Sequence, residues 1–232
     1  IKMHSHGNDF VVFGSPTENS LPDVALIRLL CDRHYGVGAD CSIFIGASDT
    51  QGYYMHAYNP NGFEAEMCGN ALRCSARYVY ECGYFTKRSL TAETKSGPRA
   101  LIVNDDSIHT EMGKAHIIQK GEIELYGISL PYIFLSMGNP HCVVFVSQLS
   151  DNDFSLFGPA IETNSIFPEG TNVEFARVID RNNIAMRVWE RGIGETLSCV
   201  TGSCAVVAAA IKSNLCSGIV KVHQSGGCVE VE

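Results

Sequence analysis

Two stretches of this chain, "MCGNALRC" at 67–74 and "SCVTGSCA" at 198–205, set a cysteine directly before a turn of small residues that opens a helix. Around each stretch the same order of elements can be read. In the first half, "FVVFG" at 10–14 reads as a short buried strand, and "DVALIRLLCDRH" at 23–34 carries Val24, Ile27 and Leu30 or Cys31 at helical spacing behind a capping Asp23. The strands "CSIFIG" and "YYMHAY" follow, then the turn "NPNG", a helix over 71–82 stopped by Gly83, and the alternating segments "SLTAET", "RALIV" and "SIHTEM". After a weakly patterned stretch near 113–130 come "IFLSM", "CVVFV", "NVEFARV" and "IAMRVWE", a helix in "GSCAVVAAAIKSN", and then "IVKVH" and "CVEVE". No strict repeat of residues is visible, yet strands, turn, cysteine, helix and strands recur in that order. The expected organisation is two similar α+β domains, 1–114 carrying Cys68 and 115–232 carrying Cys199, with the boundary inside 112–130.

Composition narrows the function. With 45% hydrophobic and 18% charged residues, the chain has enough apolar material for a core. A net charge of −8 argues against nucleic acid or an anionic membrane as a partner. No apolar run approaches the roughly 20 residues that span a bilayer, and "IKMHSHGND" lacks the apolar core of a secretory signal. A cytoplasmic chain is expected. Its ten cysteines are scattered without a C-x-x-C pair, which argues against a zinc site or a redox dithiol. Disulfide frameworks of such density belong to scaffolds shorter than about 100 residues, so these cysteines read as reduced thiols. The histidines show no ligand spacing, and no haem, flavin, nucleotide or pyridoxal fingerprint is present. Neither a metal nor a cofactor is expected.

A thiol at a helix start sits among free backbone N–H groups and the positive end of the helix dipole. It ionises more readily there, and the same N–H groups suit a carboxylate. One such turn points to a reactive cysteine. Two point to a thiol on either wall of a cleft. A nucleophilic hydrolase needs one cysteine with a histidine, whereas inverting a carbon centre needs a base on one face and an acid on the other. The enolate-like intermediate also needs donors aimed at its carboxylate. Cofactor-free racemisation or epimerisation of a small acid fits best.

The stretches "KMHSHGNDFVV", "CDRHYGVGAD", "NPNGFEAEMCGNALRC", "MGNPHCVVFV", "GTNVEF" and "WERGIGETLSCVTGSCA" resemble, in order and over almost the whole chain, those of the diaminopimelate epimerase family of two-cysteine epimerases. The resemblance implies two pseudo-symmetric α/β (α+β) domains, each a mixed, mainly antiparallel sheet wrapped around a central helix, with the active site in the interdomain cleft. It implies interconversion of LL- and meso-2,6-diaminopimelate without a cofactor, and a homodimer. Matched by position, Cys68 and Cys199 would be the acid/base thiols, and Asn8, Asn59, Asn139 and Asn172 would hold substrate. Glu190 and Arg191 would grip the distal amino and carboxylate groups, since Arg binds carboxylate with two prongs and Glu complements an ammonium. Backbone N–H groups of Gly69, Asn70, Val200 and Thr201 would cradle the carboxylate at the reacting carbon. His141 is a further candidate, lining the site and orienting Cys68, or simply packed.

Departures from the family pattern matter too. Cys41 stands where glutamine is usual, Val200 where glycine is usual, and Ser5-His6 where Gly-Leu is typical. "CGNALR" replaces "CGNGxR", and the sequence ends at "GGCVEVE", before strands the family carries. If the glycine replaced by Val200 uses positive φ, a β-branched residue there is strained. Two alternatives stay open: a related cofactor-independent racemase with different or broader substrate choice, motivated by Cys41 and Val200, and a non-catalytic amino-acid-binding or redox-sensing module.

Overall fold

The computed structural model describes residues 1–50, 52–65 and 68–232, so Met67 of the first cysteine stretch, with Glu66 before it, lies outside the described residues. The chain divides into two compact units, 1–112 and 113–232. The first unit runs β1 (Lys2–Ser5), β2 (Asn8–Gly14), α1 (Val24–Cys31), β3 (Cys41–Gly46), β4 (Tyr53–Tyr58), α2 (Gly69–Glu81), β5 (Ser89–Glu93), β6 (Arg99–Val103) and β7 (Ile108–Thr110). Its strands form one sheet in chain order, with β2–β3 and β4–β5 parallel and the other pairs antiparallel. Both faces are covered. Alternation sends Phe10, Val12, Ile43, Ile45 and Met55 toward Leu72, Ala76 and Val79 of α2, and Phe13, Phe44 and Tyr58 toward Ile27 of α1. α2 touches all seven strands, so the sheet wraps it. Leu72 is fully buried, which contributes about 1.5–3 kcal/mol. β1 and β2 are joined by His6 (φ 52°) and Gly7 (φ 83°), the two positive-φ residues that a tight hairpin turn demands.

The second unit runs β8 (His116–Leu125), β9 (Ile128–Ser136), β10 (Pro140–Phe145), α3 (Asp151–Glu162), β11 (Asn172–Asp180), β12 (Asn183–Glu190), β13 (Gly194–Thr196), α4 (Val200–Lys212), β14 (Val220–Gln224) and β15 (Gly227–Val231). Its sheet order is β15-β14-β12-β11-β10-β9-β8, with β13 beside β12. The pairs β10–β11 and β12–β14 are parallel and the rest antiparallel. Connections repeat between the units: α1 and α3 each link a parallel pair, β2–β3 and β10–β11, and α2 and α4 link β4–β5 and β12–β14. On β11, Val173 and Phe175 pack with Phe154, Phe157 and Ile161 of α3, while the alternate residues Asn172 and Glu174 face the other way, toward α4.

Some elements differ from the sequence expectation. α2 opens at Gly69 rather than Ala71, and α4 opens at Val200 rather than Ser203. "SIHTEM" yields only the strand Ile108–Thr110. β8 occupies part of the weakly patterned stretch, and its side chains are mostly exposed, so no alternation marks it. α3 was not anticipated. Ser150 caps it and Phe154, Phe157 and Ile161 form its buried stripe, but Gly158-Pro159 inside it reads as a breaker. Gly158 is required there because a Cβ would lie 2.9 Å from Trp189 Cδ2. No described helix is long and apolar enough to cross a membrane.

Candidate active site

Each thiol is itself the cap of its helix. Cys68 caps α2 with φ −144° and ψ 103°, and Cys199 caps α4 with φ −128° and ψ 117°, both extended. Cys68 Sγ accepts from the Ala71 N–H at 3.4 Å, and its carbonyl accepts from Leu72 N–H at 3.0 Å. Cys199 Sγ accepts from Gly202 N–H at 3.4 Å, and its carbonyl accepts from Ser203 N–H at 3.0 Å. Sulfur thus stands where a serine or aspartate oxygen commonly sits. The N–H groups of Gly69 and Asn70, and of Val200 and Thr201, belong to opening turns where no helix carbonyl reaches them. Such turns favour an anion. Val200 is not among the positive-φ residues, so its β-branch carries no backbone strain, and its side chain is buried.

On the Cys68 side, the Arg73 guanidinium donates to Asn70 Oδ1 at 2.6 Å, to Ser5 Oγ at 2.6 Å, and lies 3.1 Å from His6 Nδ1. This ties the β1–β2 turn to the first turn of α2 and explains why Ser5 and His6 suit this chain. Asn8 opens β2 and donates to Asp40 Oδ2 at 3.2 Å. Cys41 opens β3, with Sγ donating to Asn59 Oδ1 at 3.8 Å. Asn59 also holds its turn through backbone bonds with Phe63 and Gly62, while Asn61 Oδ1 accepts from Phe63 N–H as a local turn former.

The Cys199 side is more deeply buried. Cys199 N–H donates to Gln224 Oε1 at 2.8 Å, and Gln224 Nε2 donates to Ser203 Oγ at 3.0 Å, fixing the cap from β14. The Thr201 hydroxyl lies 3.4 Å from Cys199 Sγ and accepts from Asn139 Nδ2 at 3.4 Å. Asn139 Oδ1 lies 3.0 Å from His141 Nε2, and His141 Nδ1 lies 2.6 Å from Glu174 Oε1. His141, read as orienting Cys68 or as simply packed, is fully buried with both ring nitrogens engaged, in a chain that ends at Cys199. Burial, then the charges of Glu190 and Glu174, push the Cys199 thiol well above its ordinary range, against the lowering hydrogen bonds of Thr201 and Gly202. Burial likewise raises the Glu190 carboxyl, against a Thr196 hydroxyl donating to its Oε1 at 2.6 Å. Asn172 bonds backbone from both ends of its amide: Nδ2 donates to Pro140 O at 2.8 Å and Oδ1 accepts from Arg191 N–H at 3.0 Å. It positions the Glu190–Arg191 corner. Arg191 Nη1 donates to Glu169 O at 3.2 Å.

Sequence reasoning missed Glu174, Arg73 and Gln224. For Glu174 a signal existed: an acid in mid-strand, in "NVEF", with buried residues on both sides of it. Among the described residues no group of three or more His, Cys, Asp or Glu could hold a metal ion. Cys74 is a core residue of α2, its thiol pushed up to about 12 by burial, whereas Cys204 is only half-buried.

The family model for diaminopimelate epimerase matches residues 1–118 and 133–232. This chain belongs to the diaminopimelate epimerase family. The unmatched stretch falls inside the β8–β9 hairpin, the edge of the second sheet. Among relatives, the diaminopimelate epimerase of Moorella thermoacetica is 38% identical over 252 residues, covering 100% of this chain and 90% of its own length. That of Desulfitobacterium hafniense is 40% identical over 255 residues, covering 100% and 89%. The fold is shared more widely. A Bacillus anthracis phenazine biosynthesis protein of the PhzF family superposes with a TM-score of 0.75 at 18% identity, covering 98% of this chain and 85% of that one. An Agrobacterium vitis hydroxyproline epimerase, with trans-4-hydroxy-L-proline bound, gives 0.74 at 14% identity, covering 97% and 80%. As a member of this family the chain is an isomerase.

Proposed function

We propose that this enzyme interconverts LL- and meso-2,6-diaminopimelate, in lysine and peptidoglycan precursor biosynthesis, by two-base proton transfer between substrate and the thiols of Cys68 and Cys199. The observation that carries the reading is the matched capping of α2 and α4 by sulfur, with the same two hydrogen bonds at each. The reaction requires the two sulfurs to address opposite faces of one carbon. In the direction where Cys199 is the acid, Cys68 thiolate takes the α-proton, the C–H electron pair passes into the carboxylate as an enolate, and Cys199 delivers its S–H proton to the other face. The reverse direction exchanges the roles. A buried, strongly raised Cys199 suits a thiol that waits protonated.

The opening amides of Gly69, Asn70, Val200 and Thr201 would hold the carboxylate as it gains charge. Glu190 and Arg191, with Asn8, Asn59 and Asn139, would hold the distal end. Asn172 keeps one amide hydrogen beyond its bond to Pro140 O for the same purpose. The family supports a cytoplasmic homodimer working without pyridoxal. Wild-type enzyme incubated with LL-diaminopimelate in D₂O, with reductant, should place deuterium at the inverted carbon. Inversion with retention of protium would overturn the proposal. A second reading, a related racemase of different substrate choice, is favoured by one contact: Cys41 gives Asn59 a weak thiol donor where the family commonly has a glutamine amide. Turnover of glutamate, histidine or lysine matching that of diaminopimelate would establish it instead.

A further inference from the structure

Thr201 carries a hydroxyl whose direction is set from beneath α4. A ring nitrogen 3.0 Å from an amide oxygen must bear a proton, so His141 Nε2 donates to Asn139 Oδ1. The 2.6 Å contact between His141 Nδ1 and Glu174 Oε1 must hold a second proton. Both side chains are fully buried. In the orientation the structure gives Asn139, its Oδ1 meets the ring N–H. Its Nδ2 therefore faces Thr201 Oγ1 and fills one lone pair there. The hydroxyl hydrogen is left to the remaining acceptor, Cys199 Sγ.

We infer that Thr201 is a positioning residue whose hydroxyl, oriented by the buried chain Glu174–His141–Asn139, donates to Cys199 Sγ and enables that enclosed sulfur to hold a negative charge. This rests on the reading of Cys199 as an acid/base thiol and adds a role that reading did not assign. The need for the donor is physical. When the Cys199 S–H bond breaks and its proton goes to carbon, the electron pair stays on the sulfur of a residue that is only 7% exposed. Two carboxyl groups face it, Glu190 from β12 and Glu174 from β11, the latter already paired with His141 of β10. Against them stand two donors, the Gly202 N–H and the Thr201 hydroxyl.

The test reads the thiolate directly and needs no substrate. Iodoacetamide alkylation of the Cys199 peptide, followed by mass spectrometry at pH 8 on the reduced full chain, reports the thiolate fraction. A hydrogen bond to a charged group supports a shift of about one pH unit or more. Higher sulfur basicity returns part of the rate, so Thr201→Val should alkylate about three- to tenfold more slowly. Thr201→Ser keeps the hydroxyl and should match wild type. Asn139→Ala should slow alkylation by a smaller factor, and should have no further effect in a Thr201→Val background. A loosened helix start would speed alkylation, so faster or unchanged reaction in Thr201→Val overturns the inference. An Asn139→Ala effect undiminished by Thr201→Val also overturns it. Deuterium exchange by the wild type separately tests the epimerase reading, so the two failures are distinguishable.

Discussion

Gly202→Ala asks whether the carboxylate beneath α4 is held as tightly as its contacts imply. A Cβ at Gly202 would lie 2.8 Å from Glu174 Oε1, 3.2 Å from Glu174 Cγ and 3.3 Å from Cys199 Cβ. A flexible side-chain end would normally move away cheaply. This one is fully buried and fastened to His141 Nδ1 at 2.6 Å, so giving way lengthens a buried bond. The glycine conformation is not the issue, since Gly202 does not use positive φ. Nor does the helix start reject a methyl: the matching position, three residues past the other capping cysteine, is Ala71. Overpacking of this kind costs about 1–3 kcal/mol, and alanine returns at most about 1 kcal/mol of helix propensity. From the middle of that range, the net loss is about 1–2 kcal/mol, or a Tm lower by about 2–8 °C for a chain of this size. Thermal unfolding followed by circular dichroism measures it. A Tm equal to or above wild type would refute the reasoning, because propensity alone predicts a rise.

Other substitutions probe the same buried contacts and the first unit. His141→Leu strands Glu174 in the core without its partner and should cost about 3–5 kcal/mol in urea unfolding, whereas Glu174→Gln, which leaves no charge behind, should cost about 1–2 kcal/mol. Glu190→Gln removes the larger of the two charges that raise the Cys199 thiol, so alkylation of Cys199 at pH 8 should quicken several-fold; slower alkylation would contradict that assignment. In the first unit, burial alone would raise the Asp9 carboxyl, but hydrogen bonds from Arg33 and Lys2 outweigh it and hold it well below the usual carboxylate range. A depressed folded value means the stabilisation is present above the unfolded pKa of about 4 and fades as pH falls below it. The gap in urea midpoint between wild type and Asp9→Asn should therefore be full at pH 6 and shrink toward pH 3.

What the residues disclosed follows from how local each signal is. The two sulfur caps are written within a few residues of their helices, and both thiols do cap α2 and α4. Asp23 likewise caps α1 through the Ala25 N–H at 3.0 Å. α3 escaped because Gly158-Pro159 looks like a break, and the reason for the glycine, the Trp189 ring, lies on a different element. β8 escaped because exposed side chains on both faces erase the period of two. The site divides the same way. Cys68, Cys199 and the amides that follow them come from adjacent residues, whereas the chain Glu174–His141–Asn139–Thr201 draws on three separate segments. Asn172 was read as a substrate-holding residue; that its amide also joins β10 to the corner after β12 is a bond that no local pattern encodes.

The claim that each sulfur serves one face of the carbon is tested most directly by removing one at a time. With Cys68→Ala and Cys199→Ala, the α-hydrogen of LL- and of meso-diaminopimelate is followed in D₂O by NMR and chiral chromatography. One remaining base can only take and return a proton on its own side. Each variant should therefore exchange deuterium into one epimer without inverting it, and the two variants should choose opposite epimers. Inversion by either variant, or the same epimer chosen by both, would contradict the account.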